Sequence, residues 1–260
     1  LIHLRTSKHL KLKMDIQNII IIAAAFAFGG ILKGATGAGA PLLAVPALAI
    51  IYDVPFAVAM IVLPNIVPNI WQIWRYRKSS LPRKFVWSFA LGGALGAGLG
   101  TVGLSILDKT LLSTSLGIFI IIYVLFRFFN PSWVLDFKLA QKFALIAGAL
   151  AGCLQGVSGI SGPISLTFLN SINLKRSDFI FTVSIFFIAM GLTQLPVQIY
   201  LGIMTIERFG YSFLSLIPLM LFMPFGSFLA SYLSAKTFNQ IILVLLLVLG
   251  LKLIIESISI

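Results

Sequence analysis

The sequence predicts an all-α polytopic membrane protein of about eight transmembrane helices, arranged as two tandem four-helix repeats with helices one and five broken. Three observations lead there. The 260 residues are 59% hydrophobic and only 10% charged, so most of the chain has no water-facing side. Apolar runs of the length a bilayer requires, about 20 residues, follow one another almost without linkers. Two interruptions rich in glycine and proline, GGILKGATGAGAP ending at Pro41 and AGCLQGVSGISGP ending at Pro163, fall at an offset of 122 residues.

Taken in order, the spans are expected at residues 15–51, 56–74, 85–106, 110–129, 141–172, 178–200, 211–234 and 237–256. The first and fifth are too long for one straight crossing, and each contains one of the interruptions. Residues 1–13 form a basic cytoplasmic flank. The first repeat is expected over 14–130, a cytoplasmic connection over 131–140 and the second repeat over 141–260. The basic tail and following apolar run imitate a secretory signal, but the run continues through the glycine motif into more hydrophobic sequence, as a first span does. A start at Met14 would leave the flank dispensable.

Within the interruptions, Gly30/Gly152, Gly34/Gly156, Thr36/Ser158, Gly37/Gly159 and Pro41/Pro163 stand in register, and Gln72 pairs with Gln194 at the same offset. Four spans per half is an even number, so the halves are expected to share one orientation, related by an axis along the membrane normal. An inward N-terminus then collects fourteen basic residues on the cytoplasmic side, Arg75 to Lys84 among them, against Lys109, Lys175, Arg176 and Lys236 outside. That excess places both termini in the cytoplasm of a multi-pass inner-membrane protein. It also accounts for the net charge of +12 without a nucleic-acid partner.

A glycine-rich break at membrane depth leaves backbone groups that lipid cannot satisfy, so it must be buried in protein or line a wet cavity. Pro41 and Pro163 suit the first turn of a new helix. The amides of Leu42, Leu43 and Ala44, and of Ile164, Ser165 and Leu166, would then face the break and attract an anion. Lys33 precedes the first break, where a lysine marks either a substrate contact or a side chain snorkelling to the interface. Its counterpart is Gln155. The candidate substrate residues are therefore Lys33, Gly34, Thr36, Gly37, Gly39 and Pro41 in the first half, with Gln155, Gly156, Ser158, Gly159, Ser161 and Pro163 in the second. Asn65, Asn69, Gln72 and Gln194, on spans that also carry prolines, are placed to line the path or to bond neighbouring helices. The run GGALGAGLG, Gly92 to Gly100, reads as close helix packing instead.

Several chemistries are not expected. Both histidines lie in the N-terminal tail and every carboxylate near a span end, so no proton relay is visible. GVSG lacks the general base of an intramembrane serine protease, and GATGAG lacks the lysine of a phosphate loop. No metal or haem ligand set can be assembled, and no cofactor is expected. Cys153, the single cysteine, allows no internal disulfide.

On GATGAGAPLLAVP, GVSGISGP, GGALGAGLGTVGLSILDKTLL and the closing FGSFLASYLSAKTFNQIILVLLLVLGLKLI, the chain resembles the sulfite exporter TauE/SafE family of membrane transporters from about Asp15 onward. The resemblance implies a secondary transporter, an exporter, of small sulfur-containing anions such as sulfite or organosulfonates. The alternatives are a passive anion channel or facilitator, or a transporter of another small organic anion. Ala38 interrupts the family's glycine run, and Lys33 is an addition to its pattern that suits a bulkier or more strongly charged anion. The partners expected are that anion and the lipid bilayer, with the oligomeric state open.

Overall fold

The computed structural model describes residues 16–130, 133–232 and 235–258. The N-terminal flank and Met14 lie outside the described residues, which form helices and no strand. The helices are α1 (Ile16–Thr36), α2 (Ala40–Ile51), α3 (Val54–Met60), α4 (Val62–Arg75), α5 (Arg83–Ile106), α6 (Lys109–Phe129), α7 (Phe137–Ser158), α8 (Gly162–Ser171), α9 (Arg176–Tyr200), α10 (Ile206–Leu214), α11 (Leu216–Tyr232) and α12 (Ala235–Ile258). Among the described residues eight segments are long and apolar enough to cross a membrane, with α3–α4 and α10–α11 each counting as one.

The interruption between α3 and α4 has a chemical cause. Pro64 has no N–H to give the Met60 carbonyl one turn earlier. That carbonyl instead accepts from Ser212 Oγ at 2.8 Å, on α10. The pair ties two interrupted spans together where a free carbonyl inside a bilayer would be costly.

Helix directions follow from contacts in register. Lys33 meets Asn69 and Gly37 meets Gln72, so α1 and α4 run the same way. Along α5, Gly93 faces Phe186 and Gly98 faces Thr193, so α5 and α9 also run together. Gly92, Gly96 and Gly100 abut the carbonyls of Leu145, Ala149 and Cys153 on α7, which shares their direction and bears out the packing role read for that glycine run. By contrast, Ile66 faces Gly191 while Gln72 meets Ser184, so α4 and α9 are antiparallel. α6 and α12 are antiparallel too, since Gly117 faces Ile254 and Thr114 bonds Ser257.

These directions correct the expected path. Segments 15–51 and 141–172 do not continue through their breaks to the far side. α2 doubles back beside α1, with the Ala40 carbonyl only 3.0 Å from where a Cβ on Gly29 would stand. α8 returns to the end where α7 began, and Leu135 N–H bonds the Ser171 carbonyl at 2.8 Å. The physical reason is the backbone of the breaks: Gly37 (φ 84°), Gly39 (φ 96°) and Gly159 (φ 75°) adopt the left-handed conformation that reverses a chain. With two extra returning segments, α4 and α9 oppose one another, so the same-orientation arrangement expected for the halves is not the one adopted.

Packing between the halves recurs at matched positions. Gly30 abuts the Leu219 carbonyl and Gly34 that of Met223 on α11, as Gly152 abuts Gly93 and Gly156 abuts Ala97 on α5. Gly226 meets Ile31 as Gly100 meets Cys153. In each case a methyl group would fall within about 2.5 Å of a backbone oxygen, so no side chain fits.

Candidate functional site

The two breaks are built alike. α1 ends with Gly37 N–H donating to the Lys33 carbonyl (2.7 Å), and α7 ends with Gly159 N–H donating to that of Gln155 (2.8 Å). Each is the left-handed helix cap that glycine favours. The Thr36 hydroxyl bonds the carbonyls of Leu32 (2.8 Å) and Ala38 and accepts from Ala38 N–H. Ser158 repeats this, donating to the Leu154 carbonyl at 2.7 Å and accepting from Ile160 N–H at 3.4 Å. Both hydroxyls staple the backbone of the break, which is a different task from contacting an anion.

The new helices start beside one another. Leu42 packs on Gly162 and Val45 on Gly159, so the N-termini of α2 and α8 approach inside the bundle from opposite sides. Pro41 and Pro163 stand in their first turns. Three of the amides expected to be free are occupied: Leu42 N–H closes on the Gly39 carbonyl (2.9 Å), and those of Ile164 (3.1 Å) and Ser165 (2.8 Å) close on that of Ser161. The first turns tighten onto their own caps, leaving an anion the N-terminal dipoles more than those hydrogen bonds.

Lys33 is 2% exposed and does not snorkel. Its Nζ donates to Asn69 Oδ1 at 2.9 Å and lies 5.8 Å from the centre of the Phe187 ring. Asn69 Nδ2 in turn donates to the Asn65 carbonyl at 2.6 Å, which fixes the amide with its oxygen toward the lysine. Among the described residues the ion pairs are Lys109–Asp53 and Lys252–Glu256, so no carboxylate neutralises Lys33. A lysine buried with one neutral partner can carry its charge only at a desolvation cost, which an arriving anion would relieve. Below it, Gln72 Nε2 donates to the Gly37 carbonyl at 3.1 Å and its Oε1 accepts from Ser184 at 3.1 Å, pinning the first break to α4 and α9.

The second half presents neutral groups instead. Gln155 is fully buried and neither atom of its amide has a partner. Gln194 Nε2 reaches the Gln155 backbone carbonyl at 3.4 Å, and its Oε1 is unpartnered. The expected residues thus form two clusters, one around Lys33, Asn69 and Gln72 and one around Gln155 and Gln194. Phe187 beside Lys33 and Gln194 beside Gln155 are two helical turns apart on α9, about 10 Å by helical rise. Gly34 and Gly156 are in neither, because both face a neighbouring helix backbone.

Two contributors escaped the sequence reading. Ser184 gave no signal, being one small hydroxyl in an aromatic run. Arg176, read as a flanking charge, donates from Nη2 to the Ala35 carbonyl at 3.1 Å at the end of α1. With Thr36, Ala38, Asn170 and Asn173 it lines a polar cavity of about 450 Å³ against the first break. Its pairing with a helix end was foreseeable only once α8 was known to turn back. No group of three His, Cys, Asp or Glu residues among the described ones could hold a metal ion.

No curated protein and no solved structure matches this chain. The profile of one family, described as Sulfite exporter TauE/SafE, matches residues 21–253, which takes in both breaks and every residue of the two clusters. The chain belongs to the sulfite exporter TauE/SafE family of membrane transporters.

Proposed function

We propose that this protein is a secondary transporter that exports small sulfur-containing anions, sulfite or an organosulfonate, by alternating access to a site between the two breaks. The observation that carries the reading is Lys33, a buried lysine with no carboxylate partner, one helical turn before the first break. The anion's charged head sits at Lys33, and the unpartnered Nε2 of Gln155, beside Gln194 two helical turns along α9, offers a second donor further along the path. The matched glycine contacts and caps support an internal repeat. The antiparallel pairs α4/α9 and α6/α12 support relating its halves by an axis in the membrane plane, the inverted arrangement that suits rocking about a central site.

Orientation follows from where the helices carry the basic residues. One face holds Arg75, Arg77, Lys78, Arg83, Lys84, Arg127, Lys138, Lys142, Lys175 and Arg176, and the other holds Lys109, Arg208 and Lys252. The first is cytoplasmic by this count, even with the four basic residues of the tail set against it. Ile16 and Ile258 then lie at the outer face, the reverse of the expectation from eight simple spans. The polar cavity at Arg176 opens toward the cytoplasm, where an exporter collects its substrate, and the membrane potential favours outward movement of an anion by about 2.3 kcal/mol per charge per 100 mV.

Flux into proteoliposomes tests the reading. Saturable uptake of labelled sulfite or sulfoacetate, with counterflow from unlabelled anion inside, is expected. Conductance that neither saturates nor shows counterflow would make the protein a channel.

A further inference from the structure

A second site lies on the lipid-facing flank; it rests on the orientation proposed above but not on the transported anion, and it borders the Arg176 cavity, with which it shares Asn170 and Asn173. Helices α6, α7 and α8 enclose an apolar trough of about 650 Å³ whose walls include Phe119, Ile122, Phe143, Ile146, Leu150 and Pro163. At the end nearest the basic face it adjoins a polar pocket of about 470 Å³ lined by Arg127, Asn130, Asn170 and Asn173. Phe126, Trp133 and Thr167 line both. Two buried polar atoms here have no partner, Arg127 Nε and Thr167 Oγ1. No carboxylate pairs with Arg127 among the described residues.

We propose that this trough and pocket bind one anionic phospholipid, with an acyl chain along the trough and the phosphate at Arg127. The polarity runs in the order of a lipid molecule: hydrocarbon against the phenylalanines and leucine, a hydroxyl donor at Thr167 for an ester carbonyl, then a guanidinium and three amides for the phosphate. Trp133 at the junction stands where indole rings prefer to lie, at headgroup depth. Basic pockets between membrane helices on the cytoplasmic side are suited to anionic headgroups. A second copy of this chain is a poorer occupant, since its apolar helices would seal Arg127 Nε and the Thr167 hydroxyl away from any acceptor.

The full chain, purified in mild detergent, is examined by native mass spectrometry with phosphatidylglycerol or phosphatidylethanolamine added. One phosphatidylglycerol is expected to be retained in preference, and glycerol 3-phosphate, which has the headgroup chemistry without the chains, does not displace it. Arg127→Gln lowers retention about fivefold, the effect of one basic residue near a membrane surface. Leu150→Trp, at a lipid-exposed position where the fold is not at stake, fills the trough and lowers retention with the arginine intact. Equal retention of the two lipids overturns the proposal, as does unchanged retention in Leu150→Trp or displacement by glycerol 3-phosphate. So does a wild-type dimer that Leu150→Trp returns to monomer.

Discussion

Replacing Lys33 by glutamine copies the residue that the second half places at the same point of its break, Gln155. The change removes a charge and little else, because a glutamine amide can still donate to Asn69 Oδ1, where the ammonium now sits at 2.9 Å. A hydrogen bond from a charged donor contributes about 1.5–3 kcal/mol, so the anion's dissociation constant should rise about 10- to 150-fold at 1.4 kcal/mol per decade. Stability without ligand should move the other way or not at all. The lysine is 2% exposed with no opposing carboxylate, and removing an uncompensated buried cation relieves a desolvation cost. The assay is a calorimetric titration of purified wild type and variant with sulfite and sulfoacetate, alongside melting curves with and without each anion. Equal dissociation constants would show that Lys33 never meets substrate. Weaker binding accompanied by a marked fall in ligand-free melting temperature would make it a structural residue and refute the reasoning equally.

Leucine at Gly37 or Gly159 should abolish flux while membrane insertion persists. Both backbones are left-handed, and at Gly37 a Cβ would stand 2.5 Å from Ile180; wild-type flux in either variant refutes a role for that break. Ser212→Ala leaves the Met60 carbonyl unpaired and should cost about 1–3 kcal/mol, read as a lower melting temperature. An unchanged melting temperature would mean that the carbonyl finds another donor. Impermeant labelling of a cysteine at Ser79 and of a C-terminal tag should report opposite faces, because α4 and α12 end on opposite sides. Labelling of both from one side would restore the simple eight-span path.

The apolar helices and both breaks were legible in the sequence because hydrophobic length and glycine–proline punctuation act locally. The direction of the chain after a break was not, since an apolar segment reads the same whether it continues or doubles back. Length carried a partial signal: 15–51 and 141–172 are too long for one crossing and too short for two full ones, and α2 and α8 are the short returning pieces. A basic-residue count along eight simple spans places Arg176 opposite Arg75, whereas Asp178 bonds Ser80 in the loop after α4 at 3.0 Å. The depth of Lys33 was undecided for a similar reason, because snorkelling and burial differ in what stands beside the side chain. Asn69 and Phe187 settle that, and neither is near it in sequence.

The contact between α1 and α11 sets a schedule for biosynthesis. Gly30 and Gly34 are shaped to meet Leu219 and Met223, which leave the ribosome roughly 190 residues later. At about 5–20 residues per second that is a delay of about 10–40 s. Lys33 can meet Asn69 early, since that residue of α4 follows it by 36 residues, but the small-residue groove of the first helix stays open throughout, so that face of the newborn chain must be sheltered until its seventh span arrives.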